Sequence, residues 1–236
     1  MYYYINMAVQ FYDEWYKNLI NHSNEKFLLV EKISDLLQGK AHESCLEIGL
    51  GTSAFFAENL SENFSSYTII EKESFSGDLP VSVKYIKADF VVCDFNEKYD
   101  VIIASHVVYY FDNLEKTVDK MLSILKEGGR IYFVVNGPDS DYGPLKNAFA
   151  SMINKPYTFT YNILKNSLQT YKTREYTTQA SLHFSDHGDL YNALRLSFDL
   201  FPVEYTAQKE KVIEWLKLNI QGEKFFIDQK IFEVTK

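Results

Sequence analysis

The chain has 236 residues, within the range that one α/β domain reaches, and 46% of them are hydrophobic, enough to bury a full core. A formal net charge of −8 and an isoelectric point near 5.2 speak against a nucleic-acid partner, whose phosphates are held by clustered Lys and Arg. No apolar run reaches the ~18 residues that a bilayer span needs, the N-terminus lacks the basic and apolar regions of an export signal, and two cysteines, Cys45 and Cys93, imply no disulfide framework. The expectation is a soluble, cytoplasmic protein without a membrane partner, and, with no heptads, a monomer. Its 18 Tyr and 18 Phe suit an aromatic core or an aromatic-walled pocket for a small organic molecule.

In chain order, an aromatic leader precedes a short amphipathic helix over Val9–Ile20, broken at Asn21-His22-Ser23. Ser23 can cap a second helix, Asn24–Gln38, with Glu25 in its first turn and Gly39 as its stop. The period then changes. Cys45–Ile48 is an apolar strand ending in a Gly turn, Ser53–Leu60 the helix after it, and Ser66–Ile70, Val83–Lys87 and Tyr99–Ala104 are further strands. A helix over Leu114–Leu125, stopped by Gly128-Gly129, leads to a strand at Arg130–Val135. Strands alternating with helices predict parallel βαβ units in a doubly wound, Rossmann-like α/β sheet. Beyond Pro138 the sequence predicts helices at Pro144–Met152, Thr160–Leu168, Asp189–Phe198 and Ala207–Ile220, the last capped by Thr206 and stopped by Gly222. Strands at Lys172–Phe184 and Lys224–Val234 bring the sheet to seven.

In such a sheet ligands bind beyond the carboxyl ends of the strands, where the first strand turns into its helix. That turn is Cys45-Leu46-Glu47-Ile48-Gly49-Leu50-Gly51-Thr52-Ser53. Gly49 and Gly51 let the backbone approach a ligand, and the helix start at Ser53 offers free N–H groups. Glu71 closes the second strand about 20 residues later, where an acid accepts the two hydroxyls of a ribose. Asp89, after the third strand, is placed for an adenine amino group with Phe90 beside the ring, or else is a solvated loop acid. A nicotinamide dinucleotide is the rival ligand, but Glu47 would set a carboxylate near its phosphates, and Ala54 stands where its fingerprint has a third Gly. The strand Tyr99–Ala104 delivers Ser105 and His106 to the same edge. His106 can hydrogen-bond a substrate or take its proton, or be structural. No His/Cys spacing suggests a metal.

The turn with its preceding Glu47, the ribose acid Glu71 and the segment Lys126-Glu127-Gly128-Gly129-Arg130 before an apolar strand together resemble the class I S-adenosylmethionine-dependent methyltransferases. The resemblance implies that Glu47 reaches the methionine end of S-adenosylmethionine and that Gly49, Gly51, Ser53, Glu71, Asp89 and Ser105 hold the rest of that cofactor. Asn21–Glu25, the strand running into Val108-Tyr109-Tyr110-Phe111, and Ile131–Gly137 are similar to small-molecule methyltransferases of the histamine N-methyltransferase type. That likeness implies that Glu25 binds the polar or cationic end of an acceptor, that His106 stands at a substrate-contacting position, that Tyr109 and Tyr110 line the pocket, and that the last strand supplies a polar residue near Asp228. Lys26 stands where the family has a His against the substrate ring, a departure that admits a carboxylate-bearing acceptor in place of histamine.

The domain expectation is a single methyltransferase domain: residues 1–40 as an N-terminal helical lid, 41–137 as the cofactor-binding half, and 138–236 as substrate-side insertions, also lid-forming, with the last strands. The activity so implied is direct transfer of a sulfonium methyl group to nitrogen, or less readily oxygen, of a small-molecule acceptor such as an amine, imidazole or amino-acid derivative. The alternatives are a protein methyltransferase and a non-catalytic S-adenosylmethionine-binding protein.

Overall fold

The structure, a computed structural model, describes residues 14–39, 42–51 and 53–236. The aliphatic runs become seven strands: β1 (His42–Ile48), β2 (Phe64–Glu71), β3 (Val83–Lys87), β4 (Tyr99–Ser105), β5 (Leu125–Asn136), β6 (Lys172–His183) and β7 (Lys224–Thr235). They form one sheet in the order β3-β2-β1-β4-β5-β7-β6. The pairs β1–β2, β1–β4, β2–β3 and β4–β5 are parallel, and β7 runs antiparallel to β5. This is the doubly wound architecture that the strand–helix alternation predicts.

The chain divides into two compact units. Among the described residues, the smaller holds those from Glu14 to Leu28, Gly137–Thr158 and Gln179–Asp228, and the larger Leu29–Asn136, Phe159–Thr178 and Gln229–Lys236. In the larger unit both faces of the central strands are buried, as a parallel sheet requires. One face sets Cys45, Tyr67, Ile69, Ile103 and Val134 against Leu29, Ile33 and Leu37 of helix α2 (Glu25–Leu37) and Phe56 and Leu60 of α3 (Phe55–Leu60). The other sets Leu46, Ile70, Ile102 and Phe133 against Val118 and Met121 of α4 (Leu114–Ser123) and Leu164 of α6 (Thr160–Ser167).

Several local expectations are corrected. The first helix, α1, covers residues 14–22 of the described chain and continues through the Asn21-His22 pair expected to break it; the positions from Val9 to Asp13, like most of the aromatic leader, lie outside the described residues. Ser23 does bond the Glu25 N–H, at 3.1 Å. Strand β5 begins at Leu125, so Gly128-Gly129 lies inside a strand and not at a helix stop. There a step of two residues along β4, from Tyr99 to Val101, matches a step of five along β5, from Leu125 to Arg130. That is a β-bulge, and Gly128 takes the left-handed conformation it needs, with φ +72°.

In the smaller unit, Asp186 caps α7 (His187–Ala193) by accepting the N–H groups of Gly188 and Asp189, and a 3₁₀ turn, Leu194–Phe198, replaces the expected continuation of that helix. Thr206 does not cap the following helix. Its hydroxyl turns back to Pro202 O inside α8 (Pro202–Ala207), and α9 (Lys209–Asn219) starts beyond it. Helix α5 (Tyr142–Met152) buries Lys146, whose amine donates to the Ser197 carbonyl and lies 4.0 Å from the Phe198 ring centroid, 5.1 Å from that of Tyr157 and 5.2 Å from that of Tyr142. No helix among the described residues is long and apolar enough to cross a membrane.

Burial lowers the Lys146 pKa from 10.5 to about 7, against the opposing field of Asp199. Between these values the unfolded chain binds the proton and the folded one does not, so stability rises with pH above about 7. Unfolding free energy measured in urea from pH 7 to 9 is expected to increase by at most ~1.4 kcal/mol per pH unit. Lys146→Met should be the more stable at pH 7 and should flatten that slope; an unchanged slope in the variant means the amine keeps its proton.

Candidate functional site

Strand order reverses at β1, which has β2 on one side and β4 on the other. The crevice of an open α/β sheet therefore lies at the carboxyl ends of β1 and β4, where Gly49–Gly51 and Ser105–His106 are found. Gly49 and Gly51 have φ of +80° and +65°, the left-handed region that side chains disfavour. Gly49 is constrained twice, because a Cβ added to it would stand 2.7 Å from Val107 Cγ2. Its own N–H donates to Ile70 O at 3.0 Å.

Glu71 fixes the shape of the turn. Its Oε2 accepts the N–H of Leu50 at 2.7 Å and that of Gly51 at 3.0 Å, and its Oε1 accepts the N–H of Glu73 at 2.9 Å. A carboxylate has about four lone-pair sites, so with three taken by backbone amides one remains for a ribose hydroxyl. Glu71 thus positions the backbone as well as standing where a ribose acid is expected. Ser53 Oγ accepts the Phe55 N–H at 3.3 Å just ahead of α3, whose N-cap is Ala54.

Glu47 is 2% exposed and shares the face of Cys45 and Tyr67, where its Oε2 accepts the Tyr67 hydroxyl at 2.8 Å. Burial, followed by the Glu47 charge, raises the Tyr67 and Cys45 pKa values well above their ordinary range. Asp89 Oδ1 accepts the Val91 N–H at 2.9 Å and Oδ2 lies 3.1 Å from Lys72 Nζ. The Val91 N–H and the Lys72 charge hold its carboxyl below the usual range despite partial burial. Phe90 is buried in the core, 5.5 Å from the Phe95 ring.

At the end of β4, His106 is a non-Gly residue with φ +53°, held there by its N–H bond to Val134 O at 3.0 Å. A left-handed residue without glycine's freedom stores strain of the kind that collects at functional sites. Its Nδ1 lies 3.3 Å from the Tyr109 hydroxyl, the two rings stacking at 6.1 Å and 13°. The same hydroxyl accepts the Asn136 N–H at 3.0 Å, which ties the ends of β4 and β5 together. Tyr110, 54% exposed, meets Tyr109 edge-on at 6.4 Å. Ser105 Oγ and Asn136 Oδ1 are buried with no hydrogen-bond partner among the described residues. Buried polar atoms are nearly always satisfied, so these two fit a bound polar group at this edge.

Sequence reasoning named Ser105 and missed Asn136. The available signal was an amide closing the apolar run Ile131–Val135, immediately before Gly137. Glu25, Lys26 and Asp228 belong to the smaller unit, and each is buried there. The Lys26 amine lies 5.7 Å from the Tyr16 ring centroid, and Asp228 Oδ1 takes the Ser140 hydroxyl and, at 3.0 Å, the Gln179 amide. Among the described residues no group of three or more His, Cys, Asp or Glu side chains is placed to hold a metal ion.

Residues 20–197 match the family described as "Methyltransferase domain", which is more than half of the sequence, and the chain belongs to that family. No curated protein matches it. Among solved structures it is similar to a proposed methyltransferase from Bacillus halodurans, at 12% identity and TM-score 0.60 over 87% of this chain and 97% of that one. It is similar also to the YcgJ protein of Bacillus subtilis, at 12% identity and TM-score 0.58 over 88% and 97%. A plantazolicin methyltransferase crystallised with S-adenosylhomocysteine and a triazolic desmethylplantazolicin analog matches at 13% identity and TM-score 0.57 over 98% and 95%. These likenesses establish the class I methyltransferase fold.

Gly49→Ala is expected to destabilise the protein by at least ~1–2 kcal/mol, from the left-handed backbone alone, with the Val107 contact adding to it. Val107→Ala in the same chain should recover the contact part. Equal destabilisation in the single and double variants, by urea unfolding, would remove Val107 as the constraint.

Proposed function

We propose that the protein transfers the methyl group of S-adenosylmethionine to a nitrogen, less readily an oxygen, of a small-molecule acceptor. The observation that carries the cofactor assignment is the Gly49–Gly51 turn at the strand-order reversal, clamped by Glu71 through the Leu50 and Gly51 amides. Membership of the methyltransferase family supplies the reaction class. The plantazolicin methyltransferase, which shares the fold, was crystallised with the demethylated product of the same cofactor. Glu47, Gly49, Gly51, Ser53, Glu71, Asp89 and Ser105 are the residues that would hold S-adenosylmethionine, which supplies an already activated sulfonium methyl.

The chain's own contribution is alignment and proton handling. Bringing the acceptor's lone pair into line with the methyl and sulfur needs no covalent intermediate, and orientation alone lowers such barriers substantially. To His106, whose Nδ1 lies 3.3 Å from the Tyr109 hydroxyl, we assign the role of orienting an acceptor or taking its proton. Tyr109 and Tyr110 supply aromatic surface beside it. The preference for nitrogen, and acceptor contacts from Glu25, Lys26 and Asp228, rest on the resemblance to histamine N-methyltransferase in the sequence segments quoted above.

Incubation with methyl-labelled S-adenosylmethionine and a panel of amines, imidazoles, amino acids, phenols and short peptides tests this. Label on a small amine or imidazole is the expected result. Label confined to peptides would make the acceptor a polypeptide, and absence of cofactor binding by calorimetry would refute the assignment. Glu71→Ala should weaken cofactor binding by roughly 1–3 kcal/mol, the worth of hydrogen bonds to a charged group. His106→Ala should lower turnover and leave cofactor affinity nearly intact; a matching fall in both would make His106 structural.

A further inference from the structure

In the larger unit the β5 bulge opens a recess of about 240 Å³ lined by Gly128, Arg130, Lys172, Arg174, Glu233, Thr235 and Lys236. Four cations thus surround one carboxylate, in a chain whose net charge is −8.

The cations are not equivalent. Arg130 is the anchored one: Nη1 lies 3.2 Å from Glu233 Oε1 and donates to Leu36 O at 2.9 Å. Glu233, 2% exposed, also accepts the Tyr176 hydroxyl at 2.8 Å. Lys236 Nζ donates to Leu122 O and Leu125 O, at 2.9 and 3.0 Å, and keeps a third proton. Lys172 and Arg174 are exposed, and among the described residues neither forms an ion pair with a carboxylate. At Gly128 nothing stands within 4 Å of where a Cβ would be, so the backbone side of the recess is open.

We propose that this recess is a binding site for a small anion bearing phosphate groups. Two guanidinium groups and two ammonium groups around one concavity match the geometry and charge of phosphate oxygens. The volume is about eight times one water's share of liquid, room for a diphosphate and not for a nucleic-acid strand. Arg130 lies six residues before Asn136 along β5, about 20 Å from the carboxyl edge at a strand's rise per residue. The recess is therefore separate from the Gly49–Gly51 turn, and the proposal does not depend on methyl transfer. Immobilising the long Lys172 and Arg174 side chains costs entropy, so the affinity is modest and falls with salt.

The test is calorimetric titration of the full chain with inorganic pyrophosphate at low salt, in the presence and absence of saturating S-adenosylhomocysteine. Saturable binding is expected, undisturbed by S-adenosylhomocysteine. A Lys172→Ala/Arg174→Ala double variant should bind pyrophosphate about tenfold or more weakly, through loss of charge-assisted hydrogen bonds. Its melting temperature and its S-adenosylhomocysteine affinity should match the parent, since both side chains are exposed. The milder Arg174→Lys variant should fall between parent and double variant. Unsaturable uptake, equal binding by the double variant, or competition between pyrophosphate and S-adenosylhomocysteine would each overturn the proposal, the last by placing the anion at the Gly turn.

Discussion

The carboxylate of Glu71 reaches back across the end of β1 and takes the amides of Leu50 and Gly51, and the rest of the larger unit is arranged so that this bond forms. Parallel pairing of β1 with β2 sets Glu71 beyond Ile48, and the left-handed glycines turn the intervening N–H groups toward it. On the other flank β4 ends against the same turn, where Val107 leaves no room for a side chain on Gly49. A turn with two disfavoured φ values is held in one shape by an anion that also faces the ligand edge. Cofactor affinity and local backbone order should consequently be coupled through a single carboxylate.

The second arrangement at that edge depends on one hydroxyl. Tyr109 contacts His106 Nδ1 and accepts the Asn136 N–H, so it links the ends of two strands and orients the one histidine that faces them. Elsewhere the aromatic excess serves packing. Tyr191 and Tyr205 stack at 4.6 Å and bond each other's carbonyls, and Tyr67 and Tyr132 are fully buried with their hydroxyls bonded. Both readings of that composition find rings among the described residues: these four belong to the core, and Tyr109 and Tyr110 stand at the functional edge.

The strands and the Gly turn were legible because their signals are local: apolar runs of strand length, glycines where φ must be positive, an acid at ribose spacing. The misreadings arose where long-range pairing outweighed local signals. Gly128-Gly129 reads as a helix stop, yet β4 recruits Leu125 as well as Arg130, so the glycines form a bulge. Thr206 reads as a cap, but Pro202 starts a separate short helix that takes the hydroxyl for itself. Asn136 carried only the weak signal of an amide after an apolar run, because the burial of its unpartnered Oδ1 depends on packing that no local sequence shows. The charged recess at the β5 bulge likewise draws on three strands that no sequence window joins.

Amide hydrogen exchange at Leu50 and Gly51, with and without S-adenosylhomocysteine, tests the central claim most directly, because it locates the ligand on the turn and not merely on the protein. The account predicts marked slowing at both amides and at the His106–Asn136 edge when the ligand saturates. Saturable binding that leaves the exchange of Leu50 and Gly51 unchanged would contradict it.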